Sequence, residues 1–218
     1  MPRKKQLPIF PYDFINEKAD EYEKSKWMER NQKRATQLAV QYLFDTKLTN
    51  EKEKEPPFTE SLLVLDLGCG TGFSTEVLIN NGFKVIGIDI LPDMLLKARL
   101  KNANIDLILA DINYLPMRHK IADHLISISS YNFIIHDKDQ NRERIKLLNS
   151  TAQSLHNILK NKGHIVIEFY PKDDQELQMV IESFIHNGFE GYMVKNKPNQ
   201  KSGQTFLLLR KRVGNGKL

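Results

Sequence analysis

Residues 62–76 read LLVLDLGCGTGFSTE, an apolar run that breaks into three alternate glycines around the chain's single cysteine. A parallel strand buried on both faces needs such an unbroken apolar run. Gly68, Gly70 and Gly72 follow it directly and precede helix-forming sequence, the place where backbone can approach a ligand closely. A dinucleotide fingerprint would carry glycine or alanine at position 73, where this chain has Phe73. Asp66, at the end of the strand, would repel a pyrophosphate and attract a ligand carrying an ammonium group. The loop therefore predicts a cationic ligand built on an amino acid. Cys69, inside the loop, reads as a small apolar packing group.

Outward from this loop, strand and helix signals alternate. LLVLDL (62–67), KVIGID (84–89), DLILA (106–110), DHLISIS (123–129), GHIVIEFY (163–170), GYMVK (191–195) and TFLLLRK (205–211) read as strands. Helices are expected from about Ser74, over Pro92 to Leu100, Arg142 to Leu159 and Asp173 to His186. The pattern predicts an α/β fold with a doubly wound, mostly parallel seven-stranded sheet and ligands at the carboxyl ends of the strands. Residues 14–44 read as an N-terminal helical extension. Residues 45–61, charged and carrying Pro56 and Pro57, read as a connector. The expected division is 1–61 for extension and connector, and 62–218 for the ligand-binding domain.

The composition, 40% hydrophobic and 27% charged in 218 residues, is that of one ordinary soluble domain. No apolar run approaches the roughly 18 to 20 residues of a membrane span, and the basic N-terminus lacks the features of a secretory signal, so the expected location is cytoplasmic. One cysteine excludes an internal disulfide and a cysteine-based zinc site, and the six histidines show no metal-ligand spacing. The net charge of +5 is concentrated at the ends: Arg3, Lys4 and Lys5 at one, and Lys195, Lys197, Lys201, Arg210, Lys211, Arg212 and Lys217 at the other, with no acid after Glu190. Such tracts suit a polyanionic partner, although solvated lysines that aid solubility give the same pattern.

Two more acids stand at strand ends. Asp89 lies 17 residues after Gly72, where a carboxylate can accept both hydroxyls of a ribose. Asp111 ends the third strand and can accept from an adenine amino group, with Ile90, Leu91 and Ile112 as apolar walls. LDLGCGTG followed by GID and then LAD resembles the class I S-adenosylmethionine-dependent methyltransferases. The resemblance, over residues 62 to about 211, implies a Rossmann-like fold and S-adenosyl-L-methionine as cofactor. It also implies that the glycines pass the methionine end, Asp89 the ribose and Asp111 the adenine.

The fold leaves the methyl acceptor open. SISSYNFI (127–134) lacks the Asn-Pro-Pro-Tyr type motif of exocyclic amine methylation, and no second cysteine exists to attack a pyrimidine. With EFYPKDDQEL (168–177) and EKADEYEKSKWMERNQ (17–32), it is similar to the guanine-N7 methyltransferases of small-subunit ribosomal RNA and their archaeal relatives. That resemblance implies a lid carrying Tyr22, Ser25 and Gln32, and a base site bordered by Ser129 to Phe133. Asn132 would orient the base edge and Tyr131 or Phe133 would stack on it, unless both aromatics are core residues. The chain departs from the eukaryotic pattern at Asn132 and Phe133, where that family has glutamine and tryptophan, and in lacking a long basic tail after Leu218. A small-molecule methyltransferase and a catalytically silent RNA-binding assembly factor are the alternatives.

In the expected sheet order, strand Asp106 to Ala110 lies at an edge, with Leu107, Ile108 and Leu109 and no lysine or proline to blunt it, a template for strand addition. The ribosomal RNA resemblance implies a small zinc-binding activator subunit docking there, hence a heterodimer.

Overall fold

In the computed structural model, which describes residues 15–49, 61–134, 141–196 and 204–212, the apolar run at the glycine loop forms strand β1 (Leu63–Leu67). Its alternate side chains feed two cores, as a strand's two-residue period requires. Leu65 and Leu67 join Leu125, Ile165 and Ile167 beneath helices α6 (Asn141–Ile158) and α7 (Asp174–His186). Val64 faces the other way, with Ile126, Val166, Phe206 and Leu208, beneath helix α2 (Lys26–Leu43). Each fully buried leucine or isoleucine contributes ~1.5–3 kcal/mol relative to exposure.

The remaining elements are α1 (Glu17–Lys24), α3 (Thr46–Thr49), α4 (Phe73–Asn80), β2 (Lys84–Asp89), α5 (Pro92–Lys101), β3 (Asp106–Leu109), β4 (Ala122–Ser127), β5 (Leu159–Glu168), β6 (Phe189–Asn196) and β7 (Gln204–Lys211). They build one seven-stranded sheet in the order β3-β2-β1-β4-β5-β7-β6. β7 runs antiparallel to both β5 and β6, and the other pairings are parallel. This is the doubly wound, mostly parallel sheet the sequence predicts. No described helix is long and apolar enough to cross a membrane.

The N-terminal helical stretch is two helices, because Ser25 leaves helical geometry and caps α2, its hydroxyl accepting from Met28 N–H at 3.3 Å. α2 is packed against the sheet: Ala35, Ala39, Val40 and Leu43 are buried in the same cluster as Val64, Phe83 and Val85. The segment expected as a pure connector begins with α3, whose Leu48 is buried in that cluster. β4 stops at Ser127, short of the expected Ser129, because Ser129 turns to φ 56°. β5 starts at Leu159 instead of 163, and its register against β4 jumps from Ala122↔Leu159 to His124↔His164, so the residues between bulge out.

Candidate cofactor and acceptor site

The glycine loop turns at the carboxyl end of β1 and is held by β2: the amides of Gly68 and Cys69 both donate to Ile88 O, at 2.8 and 2.9 Å. Gly68 has φ 75°, and a Cβ there would lie 2.3 Å from Cβ and Oγ of Ser130, so only glycine fits. Gly70 is left-handed too, at φ 55°, but an added Cβ there would meet no protein atom within 4 Å. The space in front of Gly70 is open, as a backbone that receives a ligand requires. Cys69 is buried, and burial pushes its thiol well above the usual range, which fits the packing role.

Asp66 shares the parity of Val64 and so points beneath α4. Its Oδ2 accepts from the hydroxyls of Ser74 and Thr75, both at 2.6 Å, while the fully buried Oδ1 has no hydrogen-bond partner among the described residues. Burial raises its pKa to about 6, against the lowering effect of the two hydroxyls. The expectation of an open carboxylate at the pocket mouth is thus corrected: Asp66 is roofed by the first turn of α4, and its charge reaches a ligand only across the loop.

Asp89 ends β2 as expected, whereas β3 stops at Leu109 and Asp111 stands two residues beyond it. Asp89 is buried, with Oδ1 accepting from Leu91 N–H at 2.9 Å and Oδ2 from Gly70 N–H at 2.8 Å; burial raises its pKa against these bonds. It therefore sets the loop and keeps further lone pairs on both oxygens. Asp111 caps a short 3-10 turn (Ile112–Tyr114), its Oδ1 taking both the backbone and side-chain amides of Asn113. Ile112 is half-buried, with Cδ1 3.7 Å from where a Gly68 Cβ would lie. Ile90 is exposed, and Leu91 is buried against Ala19, Met94 and Tyr22.

α1 lies over this end of the sheet. The Tyr22 ring stacks on Phe73, with centroids 6.1 Å apart and planes at 28°. Burial pushes its phenol above the usual range, reinforced by the nearby charges of Asp89 and Glu168, while a hydrogen bond with Gln32 opposes them. Outside, Lys97 bonds Asp20, Glu23 reaches Lys101 at 3.4 Å, and Lys101 sits 3.7 Å from the Phe73 centroid while donating to Thr71 O. Of the expected lid residues, Tyr22 lies against Phe73 at the end of the loop and is hydrogen-bonded to Gln32. The Ser25 hydroxyl accepts from Met28 N–H at the α2 N-terminus, which leaves its own O–H to donate.

The expected base site changes most. Tyr131 is 1% exposed, packed on Phe184 with centroids 5.7 Å apart, and its hydroxyl has no partner among the described residues. It is a core residue and cannot stack on a base. Asn132 is held by the backbone of Tyr170, its Oδ1 accepting from Tyr170 N–H at 3.0 Å and its Nδ2 donating to Tyr170 O. Its amide clamps the end of β5 instead of facing a base edge. Phe133 is half-buried. Ser129 donates to Glu168 Oε2 at 2.6 Å.

Reading the sequence missed Glu168 and Gln204. Glu168, 1% exposed at the end of β5, also accepts from the Tyr170 hydroxyl at 2.6 Å and Gln204 Nε2 at 2.7 Å. Burial raises its pKa while these three donors lower it. An acid closing the apolar run HIVIE was the available signal.

The basic ends are partly engaged internally. Arg210 pairs with Glu190 at 2.7 Å and donates to Leu48 O, Lys211 donates to Leu159 O, and Arg212 bonds the carbonyls of Ile185 and Phe189. Lys195 is exposed. Arg3, Lys4, Lys5, Lys197, Lys201 and Lys217 lie outside the described residues.

With this geometry in view, the methyltransferase-domain family model matches residues 64–163. Those residues are accordingly a methyltransferase domain, with S-adenosylmethionine as its cofactor. The chain is 32% identical over 155 residues to the probable 18S rRNA (guanine-N(7))-methyltransferase of Dictyostelium discoideum, covering 71% of this chain and 54% of that protein. Relatives of the same description from animals, yeasts and a plant are 30–34% identical. The chain spans about half the length of the curated relatives it matches. Its fold matches magnesium protoporphyrin IX methyltransferase from Synechocystis PCC 6803, solved with bound SAM, at TM-score 0.65 and 16% identity, over 96% of this chain and 100% of that one. It also matches a complex between the Haloferax volcanii Trm112 methyltransferase activator and the putative methyltransferase, at TM-score 0.57 and 16% identity, over 89% and 97%.

Proposed function

We propose that this methyltransferase transfers a methyl group from S-adenosyl-L-methionine to N7 of a guanine in small-subunit ribosomal RNA. The observation that carries the reading is the identity, sustained over 155 residues, with a relative named for that activity. The site suits the cofactor. The open space at Gly70 leaves room for its methionine end, and the negative charge of Asp66 behind the loop, with Oδ1 lacking a partner among the described residues, favours an ammonium over a diphosphate. Asp89 holds the ribose, Asp111 the adenine, and Ile90, Leu91 and Ile112 flank the ring, with Tyr22 covering the loop.

When bound, the cofactor supplies an electrophilic sulfonium methyl. Guanine N7 carries an exposed lone pair and needs no deprotonation, so this chain has to position and desolvate the base, not ionise it. Positioning can supply up to ~7–11 kcal/mol in favourable cases. The acid nearest the acceptor side, Glu168, is closed off by three donors, which suits a reaction without a general base.

A small zinc-binding activator docks on β3 in this reading, making a heterodimer. β3 is an unpaired sheet edge among the described residues, and its Leu109 is 59% exposed beside α5, whose Leu96 and Leu100 are 60% and 78% exposed. That apolar edge supports a partner that adds a strand and covers it.

The test is methylation of small-subunit RNA from cells lacking this chain, with and without the activator, followed by chemical cleavage at N7-methylguanine. One new cleavage position is expected. Transfer to small acceptors but not RNA would replace this reading with the small-molecule one, and cofactor binding without any transfer would leave a silent RNA-binding assembly factor.

A further inference from the structure

Unpaired RNA bases are commonly held by stacking on aromatic side chains, and the two that sequence offered are a core tyrosine and a half-buried phenylalanine. We propose that Tyr170 is the stacking platform for the acceptor base, with Glu168 and Asn132 as the positioning residues that fix it. This rests on the reading of the chain as an RNA methyltransferase. Tyr170 follows β5 directly and is 47% exposed, and it is immobilised at both ends. Its backbone N–H and C=O are bonded by the Asn132 side chain, and its hydroxyl by Glu168 Oε1 at 2.6 Å. A free surface tyrosine has neither restraint, and ordering a ring in advance removes the cost of ordering it on binding.

The platform is connected to the cofactor loop by an unbroken set of contacts. Glu168 bonds Ser129, which is held at φ 56°. Its neighbour Ser130 donates to Leu67 O at 2.6 Å and abuts Gly68. From Gly68, the side chains of Ser130, Ser129, Glu168 and Tyr170 thus run along the carboxyl ends of β1, β4 and β5. A base lying on the Tyr170 ring would be placed on the same side of the sheet ends as the cofactor, and stacking is tolerant of base identity because every base presents a π face. Guanine preference would then come from which ring atom meets the methyl.

The experiment uses the full chain and a short single-stranded RNA with 2-aminopurine in place of one guanine, whose fluorescence is quenched by stacking. Wild type, Tyr170→Phe and Tyr170→Trp are expected to quench it. Tyr170→Ala should lose the quench and weaken RNA binding roughly 5- to 100-fold, with cofactor affinity by calorimetry unchanged. Tyr170→Leu, which keeps apolar bulk without a π face, should behave like the alanine variant and stands in for it if the latter does not fold. In turnover, Tyr170→Phe and Glu168→Gln should raise KM for RNA more than they lower kcat. Unaltered quench and KM in both Tyr170→Ala and Tyr170→Leu would overturn the proposal while leaving the methyltransferase reading intact. Quench by wild type without methyl transfer would support the platform and remove the enzymatic reading, and no RNA binding by wild type would remove both.

Discussion

Replacing Asp89 by asparagine tests the cofactor assignment at the residue where structure and chemistry are most tightly joined. The carboxylate already fixes the loop through Gly70 N–H at 2.8 Å and the start of α5 through Leu91 N–H at 2.9 Å, and in the proposed complex it accepts the two ribose hydroxyls. A hydrogen bond to a charged group contributes ~1.5–3 kcal/mol against ~0.5–1.5 for a neutral one. Making two ribose bonds neutral, with one now facing an NH2 group that cannot accept, costs about 2–3 kcal/mol of binding, a roughly 30- to 150-fold rise in Kd. Calorimetry with S-adenosylmethionine and its demethylated product reads this directly, and both should weaken equally because both carry the ribose. Asp111→Asn, which loses one bond to an amine, should cost roughly 3- to 10-fold. An Asp89→Asn variant that binds the cofactor within about threefold of wild type would refute the placement.

Asp66 gives a pH signature: its folded pKa of about 6 lies above the unfolded value near 3.8, so the folded state holds the extra proton between them. Stability contributed by this group is therefore present below pH 4 and lost as pH rises through 6, by up to roughly 3 kcal/mol. Urea melts should show Asp66→Asn gaining on wild type across that window, and a constant difference would contradict the burial. Gly68→Ala combines a left-handed backbone costing ~1–2 kcal/mol with a clash against Ser130 costing ~1–3 kcal/mol, so it should lower the urea midpoint more than Gly70→Ala. Gly70→Ala should instead lose more cofactor affinity, and the reverse order would be inconsistent with the open space at Gly70. Leu109→Lys with Leu100→Lys should abolish co-purification with the activator and leave cofactor affinity unchanged; retained association would move the partner to another surface.

Sheet, loop and strand-end acids were legible in the sequence because each is a local pattern: apolar runs, alternate glycines, and an aspartate where each run stops. Residues whose role depends on which face they reach were harder. Asp66 sits at a strand end like Asp89, yet its parity sends it beneath α4 to Ser74 and Thr75. Tyr131 and Tyr170 are both tyrosines just past buried strands. One is sealed against Phe184 and the other is held out by a glutamate and an asparagine distant in the chain, a distinction that only the packing of α7 and the pairing of β5 with β7 creates. The Ser25 cap was a local signal of the usual kind, a serine ahead of a helix, obscured by the lid role that resemblance attached to it.

The cover over the glycine loop and one wall of the hydrophobic interior are consecutive turns of the same chain, since α1 passes through Ser25 into the α2 face formed by Ala35, Ala39 and Leu43. A fragment starting at β1 would lose both together, leaving an oily sheet face in water and an unroofed nucleoside site. Shortening this molecule from its amino end should therefore yield precipitate, not a minimal enzyme.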